Sequence, residues 1–418
     1  MKTLLFLLAT FPLFAQSPMM DMMSNAYSLS LPMTRNGSGT SWQPDASPMY
    51  AVMNHDVLGF QIMLHGSLHV RSTWTNINNA NRRGDHSVDA PNFFMAMAQR
   101  QIGENGLLSL QAMMSLDIAT IPGSGYPLLF QTGESWNGVP LIDHQHPHDL
   151  FASLAVAYTH RLSSDVDVTG YLGYPGEPAL GPTAFMHRQS SIANPDAPLG
   201  HHWLDATHIS FGVGTLGVRV GEFRAEGSIF TGKEPDENRT NFDKPLFDSY
   251  SWRVSWAPSQ YITSQVSQGY ITAPEGASNV TRSTASVQYA RGDKEAWWTG
   301  SIALGHNNTG HGHQEWAVLA EAAVDMNGSI PYARAEWVQK SLDELGVDQP
   351  GAHATMQDIG ALTLGFSQRL ATIALIDIAV GGQITANFVP SDLTSYYGSL
   401  PISAQLYVRF TPTLFGMM

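Results

Sequence analysis

Three histidines recur at every second residue in Asp143-His144-Gln145-His146-Pro147-His148-Asp149. In an extended backbone that spacing turns the rings of His144, His146 and His148 to one side, with Asp149 or Asp143 at hand as a carboxylate ligand or as the partner that orients a ring. Pro147 favours the extended form at His146. Imidazole suits zinc, copper and nickel. A second group, His187, His201 and His202, falls in one long segment after Gly173, and His306, His311 and His313 fall in a Gly-rich stretch further on.

Methionine gives a softer donor. Residues 16–55 carry seven, with Met19, Met20, Met22 and Met23 closest together, then Met33, Met49 and Met53. Thioether sulfur prefers Cu(I) to zinc, magnesium or calcium, so such a cluster can capture a cuprous ion, or it can be an apolar tail that merely fills gaps. Further on, Met63, His65 and His69 share the inward register of the first strand. The metal-ligating candidates are therefore His144, His146, His148, Asp149, His187, His201, His202, Met19, Met20, Met22, Met23, Met63, His65 and His69, with copper ahead of zinc as the ion. The same histidines can equally serve as hydrogen-bonding groups that close the mouth of a pore.

Short alternating segments must position these side chains. Ile402, Ala404, Leu406, Val408 and Phe410 interleave with Ser403, Gln405, Tyr407 and Arg409, one face for lipid and one for water. About sixteen such segments follow one another, with a count of 14 to 18 compatible with the pattern. They include 57–70, 92–102, 107–118, 206–220, 357–370 and 372–387. Their connections are short and long in turn, the short ones being Gly103 to Gly106, Ser163-Ser164, Gly221, Pro258-Ser259, Arg291 to Lys294, Met326 to Gly328 and Leu370-Ala371. This predicts an all-β fold, a transmembrane antiparallel β-barrel with short periplasmic turns and long extracellular loops. Tyr250, Trp252, Trp256, Tyr270, Tyr289, Trp298 and Trp316 fall where aromatic girdles would meet the membrane interfaces.

Composition agrees. The chain has 418 residues, 38 Gly, only 13% charged residues and a formal charge of −14, which argues against a nucleic-acid partner, because phosphate binding needs clustered Lys and Arg. No run after the N-terminus reaches the ~18 apolar residues of a spanning helix. Met1-Lys2-Thr3 followed by Leu4 to Ala9 reads as a secretory signal ending at Ala15. The expected organisation is a signal peptide over 1–15, a Met-rich periplasmic extension or lumenal plug over 16–55, and the barrel over 56–418. Without cysteine there is neither disulfide nor thiolate site.

Gly173 to Pro182 alternates Gly and Pro densely enough for a stiff path. With Phe185-Met186-His187-Arg188 and Gly200-His201-His202-Trp203 it describes an ordered loop folded over or into the mouth. Glu234 to Arg239 is an acidic loop that either binds a hard cation or forms a charged rim.

The blocks HQHPHDLF from His144, GYPGEPALGP from Gly173, FMHR from Phe185 and PDAPLGHHW from Pro195 resemble those of a poorly characterised family of bacterial outer-membrane β-barrels associated with heavy-metal and copper-resistance genes. The Met-rich leader and His-rich barrel are also similar in layout to outer-membrane proteins of the copper resistance B type. That likeness implies copper handling and assigns no individual ligand.

Outer-membrane lipid, a metal ion or small polar solute, and further copies of the chain are the expected partners. The first expectation is a barrel that binds or transports transition metal. The alternatives are a general porin for small polar solutes with structural loop histidines, a surface adhesin, and a metal-dependent hydrolase built on His144, His146 and His148 with Asp149 or Glu177 as base. No GxSxG or HExxH motif is present, so the chain reads as a non-enzyme.

Overall fold

The computed structural model describes residues 27–416 apart from 277, 310–313, 348–351 and 353–354. Sixteen strands close into one antiparallel barrel. They are β1 (Phe60–Trp74), β2 (Asn92–Ile102), β3 (Gly106–Met114), β4 (Phe151–Ser163), β5 (Val166–Gly173), β6 (Val213–Val220), β7 (Phe223–Phe230) and β8 (Ser249–Ser259). The second half comprises β9 (Ile262–Ile271), β10 (Val280–Gly292), β11 (Ala296–Thr309), β12 (Gln314–Met326), β13 (Ser329–Ser341), β14 (Met356–Ile373), β15 (Ile376–Phe388) and β16 (Ile402–Pro412). Closure is made by β16 against β1, with Phe410 opposite Leu68 and Ala404 opposite Trp74.

The wall is inside-out relative to a soluble sandwich. On β8 the buried residues are Ser249, Ser251, Arg253 and Ser255, whereas Tyr250, Trp252, Val254 and Trp256 are exposed. An exposed apolar face can be stable only against hydrocarbon, so the alternation puts this barrel in a membrane with its polar face inward. Aromatic pairs brace the outer face: Tyr289 lies 4.1 Å from Trp298 and Tyr250 lies 5.5 Å from Tyr270 between ring centroids.

Most short turns sit near their expected places, with corrections to several strand ends: β1 spans Phe60–Trp74 and not 57–70, and the β8–β9 turn falls at Gln260-Tyr261, since Pro258-Ser259 close β8. Asn327 and Gly328, both at positive φ, make the tight turn between β12 and β13. The β14–β15 turn falls at Ala374 and Leu375, with φ of 48° and 71°, rather than at Leu370-Ala371. Neither residue is a turn former, so tertiary pairing of the long β14 overrides local chemistry there. The strand placed at 107–118 ends at Met114, where Asp117–Thr120 forms a helical turn whose Asp117 accepts from the backbone N–H of Asn92. The strand placed at 206–220 begins only at Val213, because its first residues belong to an inserted loop.

That loop runs from Tyr174 to Gly212 and enters the barrel. From Pro175 to Gly212 every residue is buried except Met186, Gln189 and Ile192, which are half-buried. Polar side chains on the wall hold it: Ser228 and Ser267 accept the backbone N–H groups of Ala179 and Gly181 at 2.8 and 2.9 Å, and Glu336 accepts that of Leu199 at 2.6 Å. Asp196 at its far bend receives Arg71 at 2.5 Å, Gln383 at 2.7 Å and Gln405 at 2.8 Å.

A second segment, Tyr27 to Ala51, fills the other end. Ser28 donates to Asp167 at 2.6 Å, Arg253 donates to Thr40 at 2.9 Å, and the N–H of Ala46 donates to the carbonyl of Gln260 at 2.9 Å. Met49 and Tyr50 then pair with Leu414–Gly416, and Val52–Val57 runs into β1. Inward-facing side chains that would be wet in an open channel are buried on strand after strand, for example Ala317, Leu319, Glu321, Ala323 and Asp325 on β12.

Candidate functional site

The two fillings and the wall meet around a cavity of about 120 Å³. Its wall side comes from β1 and β2. Antiparallel register sets Met63 opposite Met97 and His65 opposite Met95, and alternation turns all four inward. The N-terminal segment contributes Met33 and Met49, and the inserted loop contributes Met186 and His187. Met33, Met63, Met95, Met97 and Met113 are buried in one apolar cluster, against which Met49, Met53 and Met186 pack, so eight of the 18 methionines of the chain gather here.

Imidazoles enter the same cluster. His65 Nε2 lies 3.0 Å from Met95 Sδ, and its ring is 5.3 Å from that of His187. His69 and His148 also face the cavity, whereas no Asp or Glu lines it. Burial holds the His187 imidazole well below its ordinary range, with His65 nearby adding to the effect, so the ring is neutral and keeps a lone pair.

A line of further histidines leads away from the cavity. The ring of His148 is 5.5 Å from His208, His208 is 5.1 Å from His201, and His201 is 5.4 Å from His202. Three of these have Nδ1 held by an oxygen: His148 by Asp117 at 2.9 Å, His201 by Asp205 at 2.7 Å and His208 by the Asp205 carbonyl at 2.8 Å. Such a hydrogen bond fixes the tautomer and leaves Nε2 as the acceptor. The Nε2 atoms of His148 and His208, and both ring nitrogens of His202, are buried without a hydrogen-bond partner. Burial lowers the His201, His202 and His208 imidazoles, Asp205 opposing it at His201 and Glu275 at His202.

At the outer end, His202 Nδ1 is 3.6 Å from Glu234 and 3.8 Å from Glu275, whose side chain is 53% exposed. Gly133, at φ 123°, lies flat on the His202 ring; a Cβ there would come within 2.4 Å of it. Burial lifts the Glu234 carboxyl to about 7, with Glu134 adding to the effect. Burial alone would also raise Glu134, but His146 and Arg239 beside it outweigh that and bring it down to about 2.

The alternating trio does not form one site. His144 reaches Asp85 at 3.4 Å, His146 reaches Glu134 at 2.9 Å and His148 reaches Asp117, so each ring has its own carboxylate, although the rings of His146 and His148 stay 5.9 Å apart. Within the trio only His144-Gln145 pairs as strand, in a two-residue bridge to Tyr126-Pro127. Asp149 pairs with Arg239 at 3.3 Å. Among the described residues no three His, Asp or Glu side chains converge to hold a metal ion. His208, which falls within the strand expected over 206–220, lies in the inserted loop, and His306 sits on β11 against Trp316. Met19, Met20, Met22 and Met23, with His311 and His313, lie outside the described residues.

Met95, Met97, Met113 and Met186 were not among the sequence candidates. Met95 and Met97 alternate on β2, but only the register against Met63 and His65 gives that alternation meaning.

No family model and no curated protein matches the chain. Solved structures do. OmpF of Salmonella typhi, in complex with daunomycin, superposes with a TM-score of 0.54 at 8% identity, over 86% of this chain and 100% of its own. An anion-selective porin from Comamonas acidovorans gives 0.52 at 11% identity, over 84% and 99%. The chain has the porin fold, and its apolar exterior belongs in the outer membrane.

Proposed function

We propose that this barrel takes up and holds a soft transition-metal ion, copper in the cuprous state ahead of zinc, at the junction of wall, inserted loop and N-terminal segment. The observation that carries the reading is the donor set: Met33, Met63, Met97 and Met186 with His65 and His187 around one cavity that no carboxylate lines. Thioether and neutral imidazole suit Cu(I), while a hard divalent ion is held chiefly by carboxylates, and none lines this cavity. The resemblance to barrels associated with copper-resistance genes points the same way. Filling of the lumen by residues 27–51 and 174–212 argues for a bound ion over free diffusion of solutes.

Calorimetric titration of the refolded full chain in detergent with Ag⁺, a redox-inert stand-in for Cu(I), tests this. One tight equivalent is expected, with Zn²⁺ weaker. No Ag⁺ binding, together with a stable open conductance in planar bilayers that copper leaves unchanged, would replace the metal reading with that of a porin.

A further inference from the structure

We infer that His202, His201, His208 and His148 form an access path along which the ion is handed from the acidic outer rim at Glu234 and Glu275 to the Met/His cavity. This rests on the metal-binding reading above.

The path begins at solvent and ends at the cavity. Glu275 belongs to the extracellular connection between β9 and β10 and is half exposed, so it meets a cation first. His202, buried beside Glu275 and Glu234, has no hydrogen bond at either ring nitrogen. Leaving such polar atoms unsatisfied in a folded interior is costly, and an arriving cation would relieve that cost. From there the rings of successive histidines stand 5.1–5.5 Å apart. An ion held about 2 Å from one ring nitrogen can reach the next ring at that spacing. His148, the last member, lines the cavity itself.

Two features suit transfer over storage. The rings follow one another in pairs and, among the described residues, do not gather three deep with a carboxylate, so no step is a chelate that would trap the ion. Their Nδ1 partners, Asp117 and Asp205, also hold the backbone around them: Asp117 accepts the His148 N–H at 3.1 Å, and Asp205 is clamped by Arg188 at 2.7 Å. The Nε2 atoms of His148, His201 and His208 therefore stay in place as the ion passes.

A residue on the path lowers the barrier between rim and cavity without deepening the well, so removing it must slow loading and release by the same factor. The test is the time course of Cu(I) transfer from its coloured bicinchoninate complex to the refolded full chain, under anaerobic ascorbate, with the equilibrium position read from the same traces. His202→Leu breaks no hydrogen bond of the ring and is the first variant; His208→Leu is the second, with heat-dependent gel mobility as the check that each has folded. Loading should slow about tenfold or more while the equilibrium stays within about twofold of wild type. Unchanged rates in both folded variants would overturn the path. Loss of equilibrium binding in step with rate would make these histidines the binding site itself and would also overturn it. A wild-type chain that takes no Cu(I) would instead sink the cavity reading on which the path rests.

Discussion

His65 and Met95 face each other directly across the β1–β2 ladder, with the imidazole Nε2 3.0 Å from the thioether sulfur. A thioether and an imidazole in one register pair thus face the inside of a membrane barrel, where porin constrictions normally use rings of charge. Met63 and Met97 form the next pair along the same ladder. Replacing both of these by Leu keeps volume and hydrophobicity, so the barrel should lose less than about 1.5 kcal/mol per site. Ag⁺ affinity should fall at least about tenfold, since the thioethers are gone. Calorimetry alongside thermal unfolding of the same sample separates the two effects; equal affinity in the double variant would remove these sulfurs from the account.

The barrel itself was legible from alternation and loop lengths, because a period of two needs no tertiary knowledge. Ala374-Leu375 was not, since neither residue advertises a turn and only the pairing of β14 with β15 puts them at positive φ. The site was legible in part. Met63, His65 and His69 followed from the inward register of β1, whereas Met95, Met97 and Met186 required knowing which strands and which loop come together. The alternation of His144, His146 and His148 gave no sign that Asp85, Glu134 and Asp117 each take one ring, or that His148 alone of the three lines the cavity.

Arg188 should govern how firmly the inserted loop is seated. It reaches Asp205 within the loop and Glu321 on the wall, both at 2.7 Å and all three buried. Arg188→Ala leaves two buried carboxylates short of a partner, a loss of about 3–5 kcal/mol. Planar-bilayer recordings should then show openings that the wild type lacks, and external protease should cut within 174–212. A silent, protease-resistant variant would place the seating elsewhere.

Gly305 tests the seat of the helical turn His201–Leu204. A Cβ at Gly305 would lie 2.5 Å from the Trp203 carbonyl oxygen and 2.8 Å from its Cβ, so Gly305→Val must push the turn off β11. Overpacking of this kind costs about 1–3 kcal/mol. Trp203 is buried and should gain solvent contact, seen as a red shift of tryptophan emission; an unshifted spectrum would contradict the packing.

Glu177 makes docking of the N-terminal segment depend on pH. Burial lifts its carboxyl from 4.5 to about 8; Arg253 and the Ser38 hydroxyl oppose this, and Asp205 and Glu226 add to it. Ser38 donates to Glu177 at 2.9 Å. A raised carboxyl stabilises the folded form fully below its unfolded value, and that contribution is lost as pH climbs through the folded one, here from about 4.5 to about 8. Glu177→Gln should flatten this part of the profile and raise the thermal midpoint at about pH 8 above wild type. Parallel profiles for the two proteins would rule Glu177 out as the titrating group.

X-ray absorption of the full chain loaded with one equivalent of Cu(I) tests the central claim most directly, because sulfur and nitrogen scatter differently around copper. The account predicts a mixed shell of thioether sulfur and imidazole nitrogen, with the sulfur contribution reduced when Met63 and Met97 are Leu. A shell of nitrogen and oxygen alone would put the ion outside the methionine cavity and contradict it.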